Sequence, residues 1–236
     1  MTQLSPANAE RLRQAFQRCR KMDATLREQL ETYSAASREV FPAYSEAVDR
    51  LVARLRENGG GEYAPRPGDV MPPFLLPDEA GRLVSLDSLL ADGPVVVMFY
   101  RGHWCPYCRL NVSAVIEAEG EVSKLGARIV AIMPETQKYA QRFKAESGAP
   151  FAVLTDLDNG YALSLNLAIW LGPEIAQLLS YLDLSDFHGN ALRMLPIPAT
   201  FVVGRDGLVK ARFVDPDFRK RMAIDDLLAA IAGTGG

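Results

Sequence analysis

Apolar residues recur at helical spacing through the first sixty residues of the chain, in two separate segments. Apolar positions three and four residues apart form one face of an amphipathic helix. The first segment begins behind Ser5 and Pro6, a capping serine followed by a proline at the first helical position. The recurring positions are Leu12, Phe16, Cys19, Met22, Leu26, Leu30 and Tyr33, and then Val40, Tyr44, Ala47, Val48, Leu51, Val52 and Leu55. The two segments predict an N-terminal arm of two helices.

A glycine- and proline-rich stretch follows the second segment. Three glycines at 59–61 precede four prolines between residues 65 and 73, a composition typical of a linker. We therefore divide the chain into a helical arm with its linker, residues 1–63, and a main domain, residues 64–236. Two amphipathic helices carry more apolar surface than one domain is expected to cover. We therefore expect the arm to form a homo-oligomer.

The main domain alternates between short apolar runs and helical spacing. Such runs are expected of strands that are buried on both faces of a sheet. The runs are "PVVVMFY" (94–100), "ARIVAIMP" (127–134) and "FAVLTD" (151–156), with helices expected at 111–125, 136–147 and 218–231. Residues 199–215 alternate around Asp206 and Gly207, which predicts a β-hairpin. The pattern is that of an α/β fold with a mixed β-sheet flanked by helices. The segment 159–195 has no clear periodicity, although Trp170 within it is expected in the core.

The composition is that of a globular chain without a basic excess. Of its 236 residues, 48% are hydrophobic and 23% are charged, and the formal net charge is −3. Because no positive surplus is available to neutralise phosphates, we expect no nucleic-acid and no membrane partner. The sequence has no run of eighteen apolar residues and no apolar signal-peptide core, so a membrane span and secretion are not predicted. An arginine-rich start also fits an organelle transit peptide, but the helical pattern continues past such a peptide.

Two of the three cysteines form a Cys-x-x-Cys pair. Cys105 and Cys108 stand in "WCPYC", behind an apolar run and at the start of helical spacing. An odd and sparse cysteine count is not that of a secreted disulfide scaffold, so we predict a cytoplasmic protein. In that compartment such a pair is catalytic or metal-binding more often than structural. Cys19, on the apolar face of the first helix, is expected to be a small core residue.

A strand-to-helix junction favours a reactive thiolate at this pair. The unpaired amides and positive end of a helix N-terminus can lower a thiol pKa from ~8.5 to ~3.5–7.5. Arg101 and Arg109 add positive charge on either side. A structural zinc site needs four ligands, whereas the remaining cysteine and the two histidines show no paired spacing. We therefore predict a redox dithiol without a metal or cofactor.

Three separated stretches resemble known proteins. "WCPYC" resembles the active-site dithiol of thioredoxins and glutaredoxins. "PGDVMPPFLLPDEAGRLVSLDSLL" (67–90) is similar to the leading segment of peroxiredoxins, and "IPATFVVGRDG" (197–207) resembles the thioredoxin-fold segment that carries a cis-proline. Together they resemble the peroxiredoxin-like branch of the alkyl hydroperoxide reductase/thiol-specific antioxidant (AhpC/TSA) family, over about residues 65–232.

The resemblance implies a thioredoxin-like, peroxiredoxin-type fold and a set of site residues. The peroxiredoxin register makes Cys108 the residue that attacks peroxide, whereas the thioredoxin register gives the attacking role to Cys105. Pro198 matches the proline that faces the dithiol and helps to bind an incoming chain, so a cis bond is expected before it. Peroxiredoxins have an arginine at this place, and Arg101 is the nearest candidate substitute. Trp104 is expected to shield the dithiol and to add docking surface.

Three functions remain open at this point. The first is a thiol-dependent peroxidase that reduces hydrogen peroxide or organic hydroperoxides. It would form a Cys105–Cys108 disulfide and be recycled by thioredoxin or another dithiol reductant. The second is a thiol-disulfide oxidoreductase that acts on protein disulfides, and the third is a non-catalytic binding module. Both sulfurs are expected to be essential to turnover, with Cys108 favoured for peroxide and Cys105 for disulfides.

Overall fold

The computed structural model describes residues 4–235, which contain ten α-helices and nine strands. The helices are α1 Pro6–Arg20, α2 Leu26–Val40, α3 Pro42–Glu57, α4 Leu86–Leu90, α5 Pro106–Lys124, α6 Gln137–Ser147, α7 Gly160–Ser164, α8 Gly172–Leu178, α9 Leu184–His188 and α10 Ile224–Ala232. The strands are β1 Leu75–Pro77, β2 Leu83–Ser85, β3 Val95–Phe99, β4 Arg128–Met133, β5 Ala152–Thr155, β6 Ala168–Trp170, β7 Met194–Pro196, β8 Ala199–Val203 and β9 Val209–Val214.

Five of the strands form the central mixed sheet, in the order β5-β4-β3-β8-β9. The pairs β3–β4 and β4–β5 are parallel, and the pairs β3–β8 and β8–β9 are antiparallel. All five residues of the central strand β3 are buried, because apolar clusters cover both faces of the sheet. The predicted α/β fold with a mixed sheet flanked by helices is therefore confirmed.

The N-terminal arm consists of three helices, α1 to α3, so the prediction of two helices is wrong. Helix α1 ends at Arg20, with Lys21 as its C-cap residue, and Thr25 is the N-cap residue of α2. The Thr25 hydroxyl accepts a hydrogen bond from the Glu28 N–H at 3.3 Å, and the Glu28 carboxylate accepts one from the Thr25 N–H at 2.8 Å. This reciprocal capping box starts a new helix. The apolar spacing concealed the break because α1 and α2 both face the same core.

The apolar faces of the arm are covered within the chain. Phe16, Leu30, Tyr33 and Leu51 are all buried in the cluster that contains the dithiol and α5. Both α1 and α2 pack against α5, and α3 packs against α8. The predicted self-association through the arm is not tested by this packing. Within α1 to α3, however, none of the large apolar side chains is exposed.

The three glycines behind the arm form a packed turn and not a free linker. The Gly60 N–H donates to the Leu55 carbonyl at 2.8 Å. Gly61 has φ +77°, and a Cβ there would lie 2.7 Å from a methyl group of Val214. Only glycine combines this backbone conformation with so close a contact. The arm is therefore held against β9, and a division of the chain near residue 63 stays a prediction.

The segment without clear periodicity forms short elements beside the sheet. β6 and β7 pair as a small antiparallel sheet, with α8 and α9 between them. Trp170 is 58% exposed on β6, so its predicted core position is wrong. Side chains on a strand alternate between its two faces, but β6 is only three residues long. Its sequence therefore could not show which face is exposed to solvent. The turn behind α8 lies over the dithiol region, as described below.

The last helix is shorter than predicted, which creates a loop that reaches the active site. Residues 215–223, here called the C-terminal loop, precede α10. The side chain of Asp217 accepts hydrogen bonds from the Arg219 N–H at 3.1 Å and from the Arg219 Nε at 2.7 Å. Such local bonding competes with helix formation. No helix within residues 4–235 is long and apolar enough to cross a membrane.

Candidate active site

Cys105 and Cys108 lie where the central strand β3 leads into α5. Cys105 is the N-cap residue of α5, Pro106 is its first residue, and Cys108 lies in its first turn. Proline fits there because its missing N–H would have had no partner within the helix. Both cysteines are fully buried and carry free thiols. The first turn of a helix presents unpaired amides to such sulfurs.

Cys105 is the more acidic of the two thiols, with its pKa lowered to about 6. Burial alone would raise this pKa, but a hydrogen bond from the Cys108 thiol outweighs it, together with the charges of Arg101 and Arg221 and the Cys108 backbone N–H. The lowered pKa favours the thiolate of Cys105, which is the nucleophilic form.

Cys108 is the proton-bearing partner, with its pKa raised well above that of an ordinary thiol. Burial is the largest cause, followed by the hydrogen bond to Cys105 and the negative charge of the Cys105 thiolate. Two donors act in the opposite direction on its Sγ atom. The Arg101 backbone N–H lies 3.4 Å away, and the Arg221 Nη2 lies 3.5 Å away. The pair thus shares one proton and one negative charge.

Arg101 is buried beside the dithiol, with only 2% of its surface exposed. Its guanidinium carbon lies 3.7 Å from the ring centroid of Phe218 and 5.1 Å from that of Trp104. The guanidinium also hydrogen-bonds the hydroxyl of Tyr44, which is part of α3. Cation–π contacts and this hydrogen bond hold the charge in place. The structure therefore brings the predicted Arg101 and Trp104 together with the cysteines.

A cavity of about 120 Å³ lies against Cys105 but not against Cys108. Its walls come from the arm, from the "WCPYC" stretch and from the turn behind α8. They are formed by Leu12, Tyr33, Ser37, Phe41, Tyr44, Arg101, Trp104, Cys105, Pro106, Tyr107, Leu179, Tyr181 and Leu182. A neighbouring cavity of about 220 Å³ is lined by five of the same residues. Cys105 thus faces a largely apolar space that the arm encloses, with Arg101 as its charged group.

Pro198 lies at the same edge of the sheet, but the expected cis bond is wrong. The described residues contain no cis peptide bond, so the bond from Ile197 to Pro198 is trans. Met98 pairs with Thr200, and this register places Pro198 level with Tyr100, at the end of β3. The Ile197 N–H donates to the Leu167 carbonyl at 2.7 Å. The chain runs extended from β7 into β8, where trans, the favoured form of such bonds, fits.

Glu135 fixes the loop in front of the dithiol and was missed in the sequence. Its carboxylate is fully buried and accepts the His103 backbone N–H at 2.8 Å, while its other oxygen lies 2.7 Å from the His103 Nδ1. Gly102 passes so close that a Cβ would lie 2.6 Å from Glu135. The available signal was an acidic residue behind β4, because parallel neighbours β3 and β4 end at the same edge. His103 is thus a loop-positioning residue.

Arg221 is the second missed residue, and it takes a place that the sequence assigned to Arg109. Arg109 points away from the sulfurs, with its guanidinium 3.4 Å from Glu146 and 5.3 Å from the Phe16 ring centroid. Arg221 contacts the Cys108 Sγ from the C-terminal loop. It stood within the helix predicted at 218–231, and no spacing signal linked it to the cysteines. Cys19, as predicted, is a buried core residue.

Comparisons with known proteins agree with this fold and dithiol. The chain matches the model of the AhpC/TSA family over residues 67–212. It is 29% identical over 161 residues to a chloroplastic peroxiredoxin Q of Sedum lineare, covering 68% of this chain and 75% of the relative. It is 28% identical over 92 residues to peroxiredoxin Bcp of Escherichia coli, covering 39% of this chain and 58% of the relative. The crystal structure of peroxidoxin BcpB from Mycobacterium tuberculosis superposes with a TM-score of 0.57 at 22% identity, covering 73% and 99% of the chains.

A buried dithiol at the start of a helix, on a thioredoxin-like sheet, defines a thiol oxidoreductase. The chain belongs to the AhpC/TSA family. It is a thiol-dependent peroxidase, and family membership implies a peroxide substrate and a thioredoxin-type reductant.

Proposed function

We propose that the protein reduces peroxides through the dithiol of Cys105 and Cys108, with Cys105 as the attacking residue. One observation carries the proposal: Cys105, whose pKa is lowered to about 6, is the cysteine that faces the cavity beside Arg101. The Cys105 thiolate attacks one peroxide oxygen and the O–O bond breaks, so that Cys105 becomes a sulfenic acid. The departing hydroxide or alkoxide takes up a proton from solvent and leaves as water or an alcohol. Cys108 then displaces the sulfenic oxygen as water and forms the Cys105–Cys108 disulfide.

The geometry of the site and the alignment with peroxiredoxins favour different cysteines as the first nucleophile toward peroxide. The peroxiredoxin register favours Cys108, but Cys108 does not line the cavity and the pKa of its thiol is raised. A thiol with a raised pKa is a poor first nucleophile at neutral pH. The geometry therefore supports Cys105 first and Cys108 as the resolving thiol.

The cavity supports a substrate with a small apolar group. Its volume of about 120 Å³ approaches the ~150 Å³ of an apolar protein cavity that binds benzene. Arg101 and Tyr44 are the polar groups placed to hold the peroxide oxygens, next to the Cys105 sulfur. The alkyl group of a short alkyl hydroperoxide would fill the apolar part of the cavity, whereas hydrogen peroxide has no apolar group to bury there. Trp104 and Pro106 would form the wall on the side of the neighbouring cavity.

Recycling by thioredoxin or another dithiol reductant requires the disulfide to become accessible. Both sulfurs are fully buried in the dithiol form, so an attacking thiolate needs local opening at the "WCPYC" stretch. Trp104 and Pro198, near the site and at the same sheet edge, are our proposed docking residues. Homo-oligomer formation through the arm and a cytoplasmic location stay predictions. Light scattering on the full chain would test the first, and a monomer would contradict it.

Trapping of the oxidised sulfur decides which cysteine attacks. Cys105→Ser and Cys108→Ser proteins receive one equivalent of tert-butyl hydroperoxide in the presence of a sulfenic-acid reagent. Cys108→Ser should form the adduct on Cys105, and Cys105→Ser should form little. The reverse pattern would make Cys108 the attacking residue. Adducts on neither cysteine, with no NADPH consumption by the intact protein in a thioredoxin-coupled assay, would contradict the use of this dithiol in peroxide reduction.

A further inference from the structure

Arg221 contacts the sulfur of Cys108, the cysteine that does not line the cavity. Its Nη2 lies 3.5 Å from the Cys108 Sγ, while its Nη1 donates to the backbone carbonyls of Phe218 and Lys220. Its Nε is buried and has no hydrogen-bond partner among residues 4–235. The two backbone carbonyls thus orient the guanidinium so that its remaining terminal nitrogen, with its positive charge, lies at the sulfur.

The C-terminal loop that carries Arg221 is fixed on both sides. The Arg219 guanidinium binds Asp217 within the loop, at 2.7 Å from Nε and 2.9 Å from Nη2. Its Nη1 also binds the Asp49 carboxylate of α3 at 2.8 Å. The ring of Phe218 packs against Arg101 and lies 5.6 Å from the ring of Tyr107. Arg221 is therefore presented to Cys108 by a loop with a defined shape.

Four ionisable groups act on the Cys108 thiol: Cys105, Arg221, Arg101 through its backbone N–H and charge, and Tyr100. Before peroxide arrives, the Cys105 thiolate repels a second negative charge and so keeps Cys108 protonated. Oxidation converts Cys105 into a sulfenic acid, which is neutral, and this repulsion disappears. The positive charge of Arg221 remains 3.5 Å from the sulfur.

We propose that Arg221 is the catalytic arginine of the resolving step, which holds Cys108 as a thiolate once Cys105 has been oxidised. The Cys108 thiolate attacks the Cys105 sulfenic sulfur, the S–S bond forms and the S–O bond breaks. Hydroxide leaves with the electron pair and takes up the proton that Cys108 released, so the product is water. This inference rests on the proposed function, with Cys105 as the residue that attacks peroxide.

The arginine also explains how the chain functions with a proline where peroxiredoxins have an arginine. Arg101 lies in the wall of the cavity that faces Cys105, and Arg221 lies at Cys108. Each sulfur thus has its own guanidinium. Neither residue is at position 198, and Arg221 lies beyond the segment that matches the family.

The test is Arg221→Gln, with Lys220→Gln as the matched control. Lys220 is the adjacent residue, and its exposed ammonium lies 3.5 Å from Asp215 and contacts neither sulfur. Each protein receives one equivalent of tert-butyl hydroperoxide at about pH 8, above the pKa of about 6 of Cys105, so that the first step starts from the thiolate. Rapid quenching separates the sulfenic acid, trapped by reagent, from the disulfide, measured as the loss of a second free thiol beyond the one that was oxidised to the sulfenic acid.

Arg221→Gln should form the sulfenic acid at nearly the normal rate and close the disulfide about 10- to 100-fold more slowly, the loss expected for one hydrogen bond to a charged group. Higher pH should restore the closing rate, because hydroxide then supplies the ionisation that Arg221 favoured. Arg221→Lys, which keeps the charge, should be intermediate, and Lys220→Gln should match the intact protein. A purely structural role for Arg221 predicts no rescue by pH.

Three results would overturn the assignment: normal disulfide closure in Arg221→Gln, slowing of sulfenic-acid formation alone, or equal slowing in Lys220→Gln. If Arg221→Gln does not fold, the pH profile of Arg221→Lys decides, since a closing rate identical to that of the intact protein at every pH contradicts a hydrogen bond to Cys108. If the intact protein itself forms neither sulfenic acid nor disulfide, the proposed function fails and not only the role of Arg221.

Discussion

The segment that matches the family, residues 67–212, and the segments that flank it supply different parts of the active site. The matching segment contains the sheet, the strand-to-helix junction and both sulfurs. The arm and the C-terminal loop supply part of what surrounds the sulfurs: one side of the largely apolar cavity, the Tyr44 hydroxyl on Arg101, and the Arg221 guanidinium at Cys108. The common fold therefore places the reacting atoms, and the flanks of this chain contribute to their environment.

The flanking segments are also bound to each other. Arg219 of the C-terminal loop binds Asp49 of the arm at 2.8 Å, and Arg56 of the arm binds Asp215 of the loop at 3.3 Å. A substitution in the arm should therefore alter the position of the C-terminal loop directly, through these ion pairs, without any change in the sheet. The predictions below separate the contribution of the flanks from that of the matching segment, beginning with the largest effect.

Removal of the arm should abolish folding and not only association. The buried apolar side chains of α1 to α3 contribute about 1.5–3 kcal/mol each, and several of them together exceed the ~5–15 kcal/mol by which a typical domain is stable. A chain that begins at Glu62 should lack a cooperative thermal transition in circular dichroism and should bind a hydrophobic dye. A cooperative transition with an unchanged midpoint would show that the matching segment is self-sufficient.

The ionisation of Cys105 should depend on its neighbour Cys108. The pKa of Cys105 is lowered to about 6, so reaction with a thiol reagent should rise tenfold per pH unit below that value and level off above it. Cys108→Ala removes the hydrogen bond that opposes burial most strongly, and should raise the pKa of Cys105 by ~1–2 units. Ultraviolet absorbance of the thiolate, followed against pH, measures the pKa of Cys105 in the intact protein and in Cys108→Ala.

The matched control for this titration is Cys19→Ala. Burial raises the pKa of the Cys19 thiol, so its removal should leave the acidic titration unchanged. An acidic titration that disappears in Cys19→Ala would assign the low pKa to the wrong residue, and one unaffected by Cys108→Ala would remove the link between the two sulfurs.

The sheet and the dithiol could be predicted from the sequence because local patterns encode them. The run at 94–100 predicted β3, and "WCPYC" marked the junction between strand and helix, although helical spacing was recognised only from residue 111 and α5 begins at Pro106. The break between α1 and α2 could not be found from spacing, since Leu26 continues the apolar face of α1 into the same core. Arg221 could not be found either. Its role depends on the contact between a loop and a cysteine 113 residues away in sequence, which only the tertiary fold creates.

A larger side chain in the cavity should change substrate preference. Ser37 of α2 is buried in the cavity wall, and Ser37→Leu fills much of the space opposite Cys105. The catalytic efficiency toward tert-butyl hydroperoxide should fall about tenfold or more, the scale of one misfitting methylene or methyl group, whereas hydrogen peroxide should be affected by less than about threefold. Ser37→Ala, which removes the hydroxyl without filling the cavity, should behave as the intact protein. An equal loss for both peroxides in Ser37→Leu would contradict a substrate site in this cavity.

The smallest expected effect tests the contact between the two flanks. Asp49 accepts hydrogen bonds from Arg38 at 2.7 Å and from Arg219 at 2.8 Å, and its side chain is 43% exposed. Asp49→Asn should therefore cost only about 1 kcal/mol of stability or less. Because Arg219 fixes the loop that presents Arg221, disulfide closure should nevertheless slow roughly twofold to fivefold, with sulfenic-acid formation unchanged. Glu174→Gln removes a comparable exposed pair between the arm and α8, 2.5 Å from Arg50, and should shift the melting temperature by a similar amount without affecting closure. If both variants slow closure equally, the effect is general destabilisation, and the arm does not position Arg221 through Arg219.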